Sequence, residues 1–201
     1  MKQPQLSILI PSLPSRFDMA KKLITKIEKC LEDKNIEILC LIDNKSKSIG
    51  EKRDNLVQCS TGKYFMFIDD DDDFENLQKV YYATFENVDV ITFKSLCRNS
   101  DSSTFIVTHN IGSDVEHNCD EKGNYLDCKR PPFHNCAWNN KYKKFHFPFV
   151  NYAEDWGWLK QFVNDAKTEK HIDEIVYLYN FDIKISEASV ESNSEWKNPN
   201  Q

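Results

Sequence analysis

The sequence predicts an α/β domain, and three observations carry that prediction. Strand-like apolar runs alternate with amphipathic helical stretches from Leu6 onwards, in the order β-α-β-α-β. The third run, Tyr64 to Ile68, stops at five consecutive aspartates, Asp69 to Asp73. The composition, 40% apolar and 29% charged over 201 residues, is ordinary for a globular chain long enough to bury a real core.

Residues 6–10, LSILI, read as a buried strand ended by Pro11 and Pro14. Ser15 with Asp18 forms a candidate capping box for a helix placing Ala20, Leu23, Ile24, Ile27, Cys30 and Leu31 on one face. Asp33-Lys34-Asn35 break it, and Ile36 to Ile42 form a second strand ending at Asp43-Asn44. A crossover of this length joins parallel strands with a right-handed connection. Ser48 and Glu51 make a second capping box, for a helix to about Cys59. After Ser60-Thr61-Gly62 comes the strand that delivers the aspartates to the sheet edge where open α/β sheets bind ligands.

Glu75 to Glu86 read as a helix with Leu77, Val80, Tyr81 and Phe85 on one stripe, and Val88 to Phe93 as the next strand. Between Lys94 and Lys129 only Thr104 to Thr108 reads as a strand. Pro131 to Trp158 is rich in aromatic side chains, which either line a groove for a polar ring or pack a core. A helix from Glu154 to about Asn164 presents Trp156, Leu159, Phe162 and Val163 inward; Ile175 to Tyr179 form a late strand, and the last ten residues read as frayed.

No apolar run approaches the roughly 18 residues of a membrane span, and the N-terminal stretch has too short an apolar core for a signal peptide, so the expected location is cytoplasmic. Seven cysteines without a CxxC pair fit reduced thiols. A net charge of −6 provides no global attraction to nucleic acid or anionic membrane; Lys141 to Lys144 and Lys129-Arg130 are the local basic patches.

Five adjacent carboxylates repel and raise one another's pKa, which a divalent cation offsets. In an extended segment Asp69 and Asp71, or Asp70 and Asp72, would point the same way and approach one ion. The chain contains no GxxxxGK[ST] or GxGxxG loop, so neither a P-loop nor a dinucleotide site is supported. Glu154-Asp155, flanked by Tyr152, Trp156 and Trp158 at a helix start, suits general-base work, with simple helix capping as the bland alternative. His109, His117, Cys119, Cys128, His134 and Cys136 match no compact zinc spacing. Tyr177 and Tyr179 read as packing residues on the late strand.

Taken in order, LSILIPSLPSR, CLIDN, GEKRDNLVQCSTG, YFMFIDDDDDF and NYAEDWGW resemble GT-A glycosyltransferases of the family 2 type, in particular the compact members of bacteria, phages and large DNA viruses. The resemblance spans roughly residues 5–165 and implies a single GT-A-like domain with a mixed central sheet. Its Rossmann-like nucleotide-sugar-binding half would be residues 1–95 and its acceptor-binding half 96–201. It implies a DxD motif at Asp69-Asp70-Asp71, with Asp71 and Asp69 holding Mn²⁺ or Mg²⁺ and Asp69 and Asp70 near the nucleotide. Pro11, Asp43, Lys52 and Arg53 fall at donor-binding positions, and an acceptor carboxylate at Asp43 suits the N3–H of uracil, making a UDP-sugar the expected donor.

By the same resemblance Asp155 is the base that deprotonates an acceptor hydroxyl and Glu154 an acceptor or orienting contact. His134 and Trp138, just before that segment, are candidate acceptor contacts or, equally, a satisfied core histidine and a packed tryptophan; Trp156 is a further candidate acceptor contact. His146 or His171 would complete a metal shell. The implied activity is an inverting, metal-dependent transfer to a glycan hydroxyl. Transfer to a modified base in viral DNA and a non-catalytic sugar-binding module are the rival readings. On a helix, Lys52 and Arg53 are surface charges by default.

Overall fold

The protein is described by a computed structural model over residues 2–99 and 102–180. Strand β1 (Leu6–Ser12) is buried throughout and pairs in parallel with β2 (Ile36–Ile42) on one side and β3 (Tyr64–Phe67) on the other. Pro11 lies inside β1 rather than ending it. The Leu9 carbonyl accepts from Ile68 N on the β3 side. Pro11, two residues on, faces that same side beyond the end of β3, where no ladder donor is needed.

Helix α1 (Phe17–Cys30) starts from a 3₁₀ turn at Pro14–Arg16, so the Ser15–Asp18 capping box does not form. Helix α2 (Ile49–Cys59) is capped as expected: Glu51 N donates to Ser48 Oγ at 3.1 Å. After the aspartates, a two-residue strand β4 (Asp73–Phe74) pairs with a distant segment, and Asn76 takes a left-handed conformation. Helix α3 (Leu77–Ala83) is therefore shorter than the expected 75–86.

The second half completes one ten-stranded mixed sheet, ordered β2-β1-β3-β9-β5-β6-β8-β7, with β10 beside β5 and β4. Here β5 is Val90–Arg98, β6 Thr104–His109, β7 Glu116–Cys119, β8 Tyr125–Arg130, β9 Ala137–Asn139 and β10 Glu169–Asn180. The expected junction near residue 95 falls within β5. The β7–β8 hairpin escapes sequence patterning because most of its residues are exposed, which removes the apolar alternation. Strand β10 starts six residues before the expected Ile175, through polar Glu169, Lys170 and His171, and is bulged between Ile172 and Ile175.

Alternating side chains split the core into two layers. Leu6, Ile8, Ile10, Met66 and Ile68 pack under α1 and α3, whereas Leu9, Phe65 and Phe67 pack under α2 and α4 (Glu154–Leu159). Trp158 of α4 is fully buried and stacks on Phe147, while Trp156 stays partly exposed. Helix α4 ends at Leu159 rather than near Asn164, although Leu159 and Phe162 are buried as the pattern required. No helix among the described residues is long and apolar enough to cross a membrane.

Candidate active site

The aspartates leave β3 as a turn, closed by Asp72 N donating to Asp69 O at 3.0 Å, not as an extended segment. The turn sends the side chains to different partners. Asp69 takes a bidentate pair from Arg53, 2.9 Å on each oxygen. Asp70 Oδ2 accepts from Ser12 Oγ at 2.6 Å and Oδ1 from Arg16 at 2.9 Å. The same Arg16 nitrogen reaches Asp71 Oδ2 at 3.1 Å. Asp72 is held by the Tyr177 hydroxyl at 2.6 Å and Asn180 N at 2.8 Å.

These partners divide the charge unevenly. Burial would raise Asp69, but the Arg53 guanidinium outweighs it and holds the carboxyl below its usual range. Burial and then the Asp69 charge push Asp71 up to about 6 and Asp72 well above its ordinary value. Burial also raises Asp70 despite Ser12 and Arg16. Four carboxylates of the turn thus share two arginines, Arg16 and Arg53.

Lys52 and Arg53 are only 2% and 4% exposed, overturning their default assignment as surface charges. Helix α2 aims both inward. The Lys52 ammonium lies 2.9 Å from Asp43 Oδ1, and Asp43 also accepts from Lys47 N and Ser46. Arg53 Nε donates to Glu154 Oε1 at 3.1 Å while its other nitrogens clamp Asp69. One buried guanidinium thus joins the aspartate turn to the Glu154-Asp155 pair. Burial lifts the Glu154 pKa even so.

Asp155 is one-quarter exposed, with Oδ1 accepting from Trp156 N at 2.8 Å. His134 Nδ1 stands 3.7 Å from Asp155 Oδ2, outside hydrogen-bond distance and without another partner among the described residues. Burial, and then the charge of Arg53, push the His134 pKa down to about 4, so this imidazole is neutral at pH 7. Both motifs open onto one cleft of about 570 Å³, which Pro11, Lys52, Arg53, Asp69 to Asp72, His134, Glu154, Asp155 and Trp156 help to line.

No family model matches the chain, and no curated protein does. Among solved structures, S. aureus TarS 1-349 in complex with UDP-GlcNAc matches with a TM-score of 0.58 at 15% identity, over 96% of this chain and 62% of that one. The same protein in complex with UDP matches with a TM-score of 0.55 at 15% identity, over 88% and 60%. This chain spans about 60% of the length of those structures. The fold is GT-A-like.

Within this GT-A-like fold several sequence expectations move. Trp138 is fully buried, donates to Phe133 O at 2.9 Å and meets Trp158 and Phe162 edge-on, so it belongs to the core and not to an acceptor pocket. His146 is mostly exposed and contacts Asp54; His171 contacts Thr92 and Asn110. Neither histidine lines the cleft. Asp43 reaches the cleft through Lys52 rather than lining it. Tyr177, expected to pack, instead hydrogen-bonds both Asp72 and the Asp69 backbone N–H.

Ser12, Arg16 and Asn180 complete the aspartates' partners and were not singled out in the sequence. Arg16 had one usable signal, its place in the loop after the first strand at the sheet's ligand-binding edge. Tyr177 and Asn180 had none, because the pairing that brings β10 to the turn spans more than 100 residues of chain.

The donor set has hard oxygen chemistry, and three of its carboxylates sit above their ordinary pKa, chiefly because they are buried. Among the described residues no three His, Cys, Asp or Glu side chains gather to hold a metal ion by themselves. Among the described residues, both oxygens of Asp69, Asp70 and Asp72 accept a hydrogen bond from another residue, whereas Asp71 does so through Oδ2 alone. The residues fit a cation bound through one protein carboxylate, with remaining positions supplied by a ligand's oxygens.

Proposed function

We propose that the protein is a metal-dependent, inverting glycosyltransferase that moves a sugar from a nucleoside diphosphate, UDP being the leading candidate, to a hydroxyl of a glycan. The observation that carries this reading is the Arg53 bridge, which sets the aspartate turn and Asp155 on one cleft. The GT-A-like fold, matched by TarS in complex with UDP-GlcNAc, supports it at the level of fold.

The chain's own residues divide the work. Pro11 and Ser12 bound the donor end of the cleft, and Lys52, backed by Asp43, lies beside them. Asp71 is the carboxylate through which Mn²⁺ or Mg²⁺ would be held; such an ion supplies charge stabilisation for a departing diphosphate. Asp69, saturated by Arg53, orients the turn and leaves the metal role to Asp71. Asp155 takes the proton of the acceptor hydroxyl, while Glu154 and Arg53 fix the start of α4 that carries it. Burial lowers the His134 pKa to about 4, which makes the imidazole beside Asp155 a weak base. A single displacement inverts the anomeric centre without a second carboxylate as nucleophile.

Titration with UDP in the presence and absence of Mn²⁺, followed by a UDP-sugar hydrolysis assay, tests the reading. Metal-dependent UDP binding with slow hydrolysis is expected; UDP binding that is weak and indifferent to metal rejects it. Asp155→Asn is expected to lower turnover by about 10²–10⁴-fold with UDP affinity retained. Unchanged turnover would remove Asp155 as the base.

A further inference from the structure

The cleft extends well past the donor end. Period-two alternation turns Ser95 and Cys97 of β5 and Val107 and His109 of β6 onto its floor, with Arg130 at the end of β8. In the sheet order, β8 lies on the far side of β3 from β1, so this floor is remote from Pro11, Ser12 and Lys52. A diphosphate held at the donor end does not use it.

Arg130 differs from every other cleft-lining lysine or arginine among the described residues. Arg16, Lys52 and Arg53 are each matched by carboxylates. Arg130 has no carboxylate partner there; its Nε donates to Cys128 Sγ at 3.3 Å. Neighbouring His109 adds no second positive charge, because burial pushes its pKa down to about 4. A second observation lies on the same wall. Asn135, 8% exposed, donates through Nδ2 to Ser95 Oγ at 3.4 Å, while its buried Oδ1 has no hydrogen-bond partner among the described residues. Such an orphan acceptor is destabilising, and a donating ligand group relieves the cost. Phe133 and Trp156, in edge-to-face contact at 4.7 Å, provide an apolar wall for a sugar ring.

We infer that the acceptor is an anionic sugar whose carboxylate or phosphate docks on Arg130 while one of its hydroxyls donates to Asn135 Oδ1. The inference rests on the transferase reading and names its acceptor class. A guanidinium pairs with either anion through parallel N–H donors, and a hydroxyl is the donor that the lone amide oxygen lacks. A single arginine on a mixed polar and apolar floor is not the extended basic track that a nucleic-acid backbone requires.

The test uses the full chain with saturating UDP and Mn²⁺, so that the donor contacts are filled. Methyl glucuronide, glucose 6-phosphate, methyl glucoside and inorganic phosphate are titrated by NMR against wild type, Arg130→Gln, Arg130→Lys and Asn135→Leu. Wild type is expected to prefer at least one anionic sugar over the neutral glucoside by about tenfold. The carboxylate and phosphate arms show which anion is read. Arg130→Gln should abolish the preference with UDP affinity unchanged, and Arg130→Lys should retain part of it. Asn135→Leu should weaken the sugars but not inorganic phosphate. Equal binding of neutral and anionic sugars overturns the inference, as does a preference that survives in Arg130→Gln. So does inorganic phosphate binding as tightly as the phosphosugar, or tighter, salt-sensitive binding of a duplex oligonucleotide. Failure of wild type to bind UDP at all would instead overturn the transferase reading.

Discussion

At the residue scale, Arg53 carries more of the site than its sequence position announces. It is buried, its pKa is raised by Asp69 and Glu154 against the opposing effect of burial, and it faces the Phe67 ring at 5.0 Å. Arg53→Ala leaves the buried Glu154 and the half-buried Asp69 without their shared cation. A loss of about 3–5 kcal/mol in urea unfolding is expected, with part of it recovered when Asp69→Asn is added. Trp138→Ala should destabilise by about 3–5 kcal/mol through the cavity it leaves, with UDP affinity in the surviving folded fraction unchanged because Trp138 does not line the cleft.

His109 gives a pH signature. Burial holds it neutral with a pKa of about 4, and a ring nitrogen meets the Pro131 carbonyl at 3.1 Å. The unfolded chain binds the proton more readily, so this contribution to stability is complete above pH 6.5 and is lost as pH falls towards 4. Its size is on the order of 3 kcal/mol. Melting curves between pH 7 and 4 should fall less steeply for His109→Asn, which keeps a donor for Pro131 but cannot charge.

At the element scale, the loop before α4 is wedged between two helices at positions where there is no side chain. A Cβ at Gly50 of α2 would meet the Pro148 carbonyl oxygen at 1.8 Å, and one at Gly157 of α4 would meet the Pro148 ring at 2.7 Å. Gly50 N also donates to Val150 O at 3.0 Å. The loop therefore sets where Tyr152, Ala153 and α4 enter the cleft. Gly50→Ala must push backbone away and is expected to lower stability by about 1–3 kcal/mol. It should also lower UDP-sugar turnover, a readout that a remote surface glycine such as Gly123, with nothing near its Cβ position, would not move.

The aspartate run teaches a related lesson. Five identical residues look like one feature in the sequence, yet the turn gives each a separate environment, from the Asp69 clamp to Asp73 on Lys26 at the surface.

At the scale of the whole molecule, the site is assembled from both ends of the chain. Because Asp71 brings one spare oxygen and the described residues hold no three-ligand cluster, metal affinity should depend on nucleotide. Mn²⁺ titrated calorimetrically should bind at least about tenfold more tightly with UDP present than without it. Equal affinities would show that the protein alone completes the coordination.

By itself the sequence determined the β-α-β-α-β order, the Ser48 cap and the delivery of aspartates to the sheet edge, because periodicity, capping and strand length are local properties. It also placed Glu154-Asp155 at a helix start, from the acidic pair and the inward aromatic stripe that follows it. Only the tertiary structure decided which cation meets which carboxylate. It put Tyr177 under Asp72, sent Trp138 to the core and left Arg130 without a carboxylate partner among the described residues. Those outcomes depend on β10 lying beside β5 and on β8 joining β6, pairings between distant segments that no local pattern encodes.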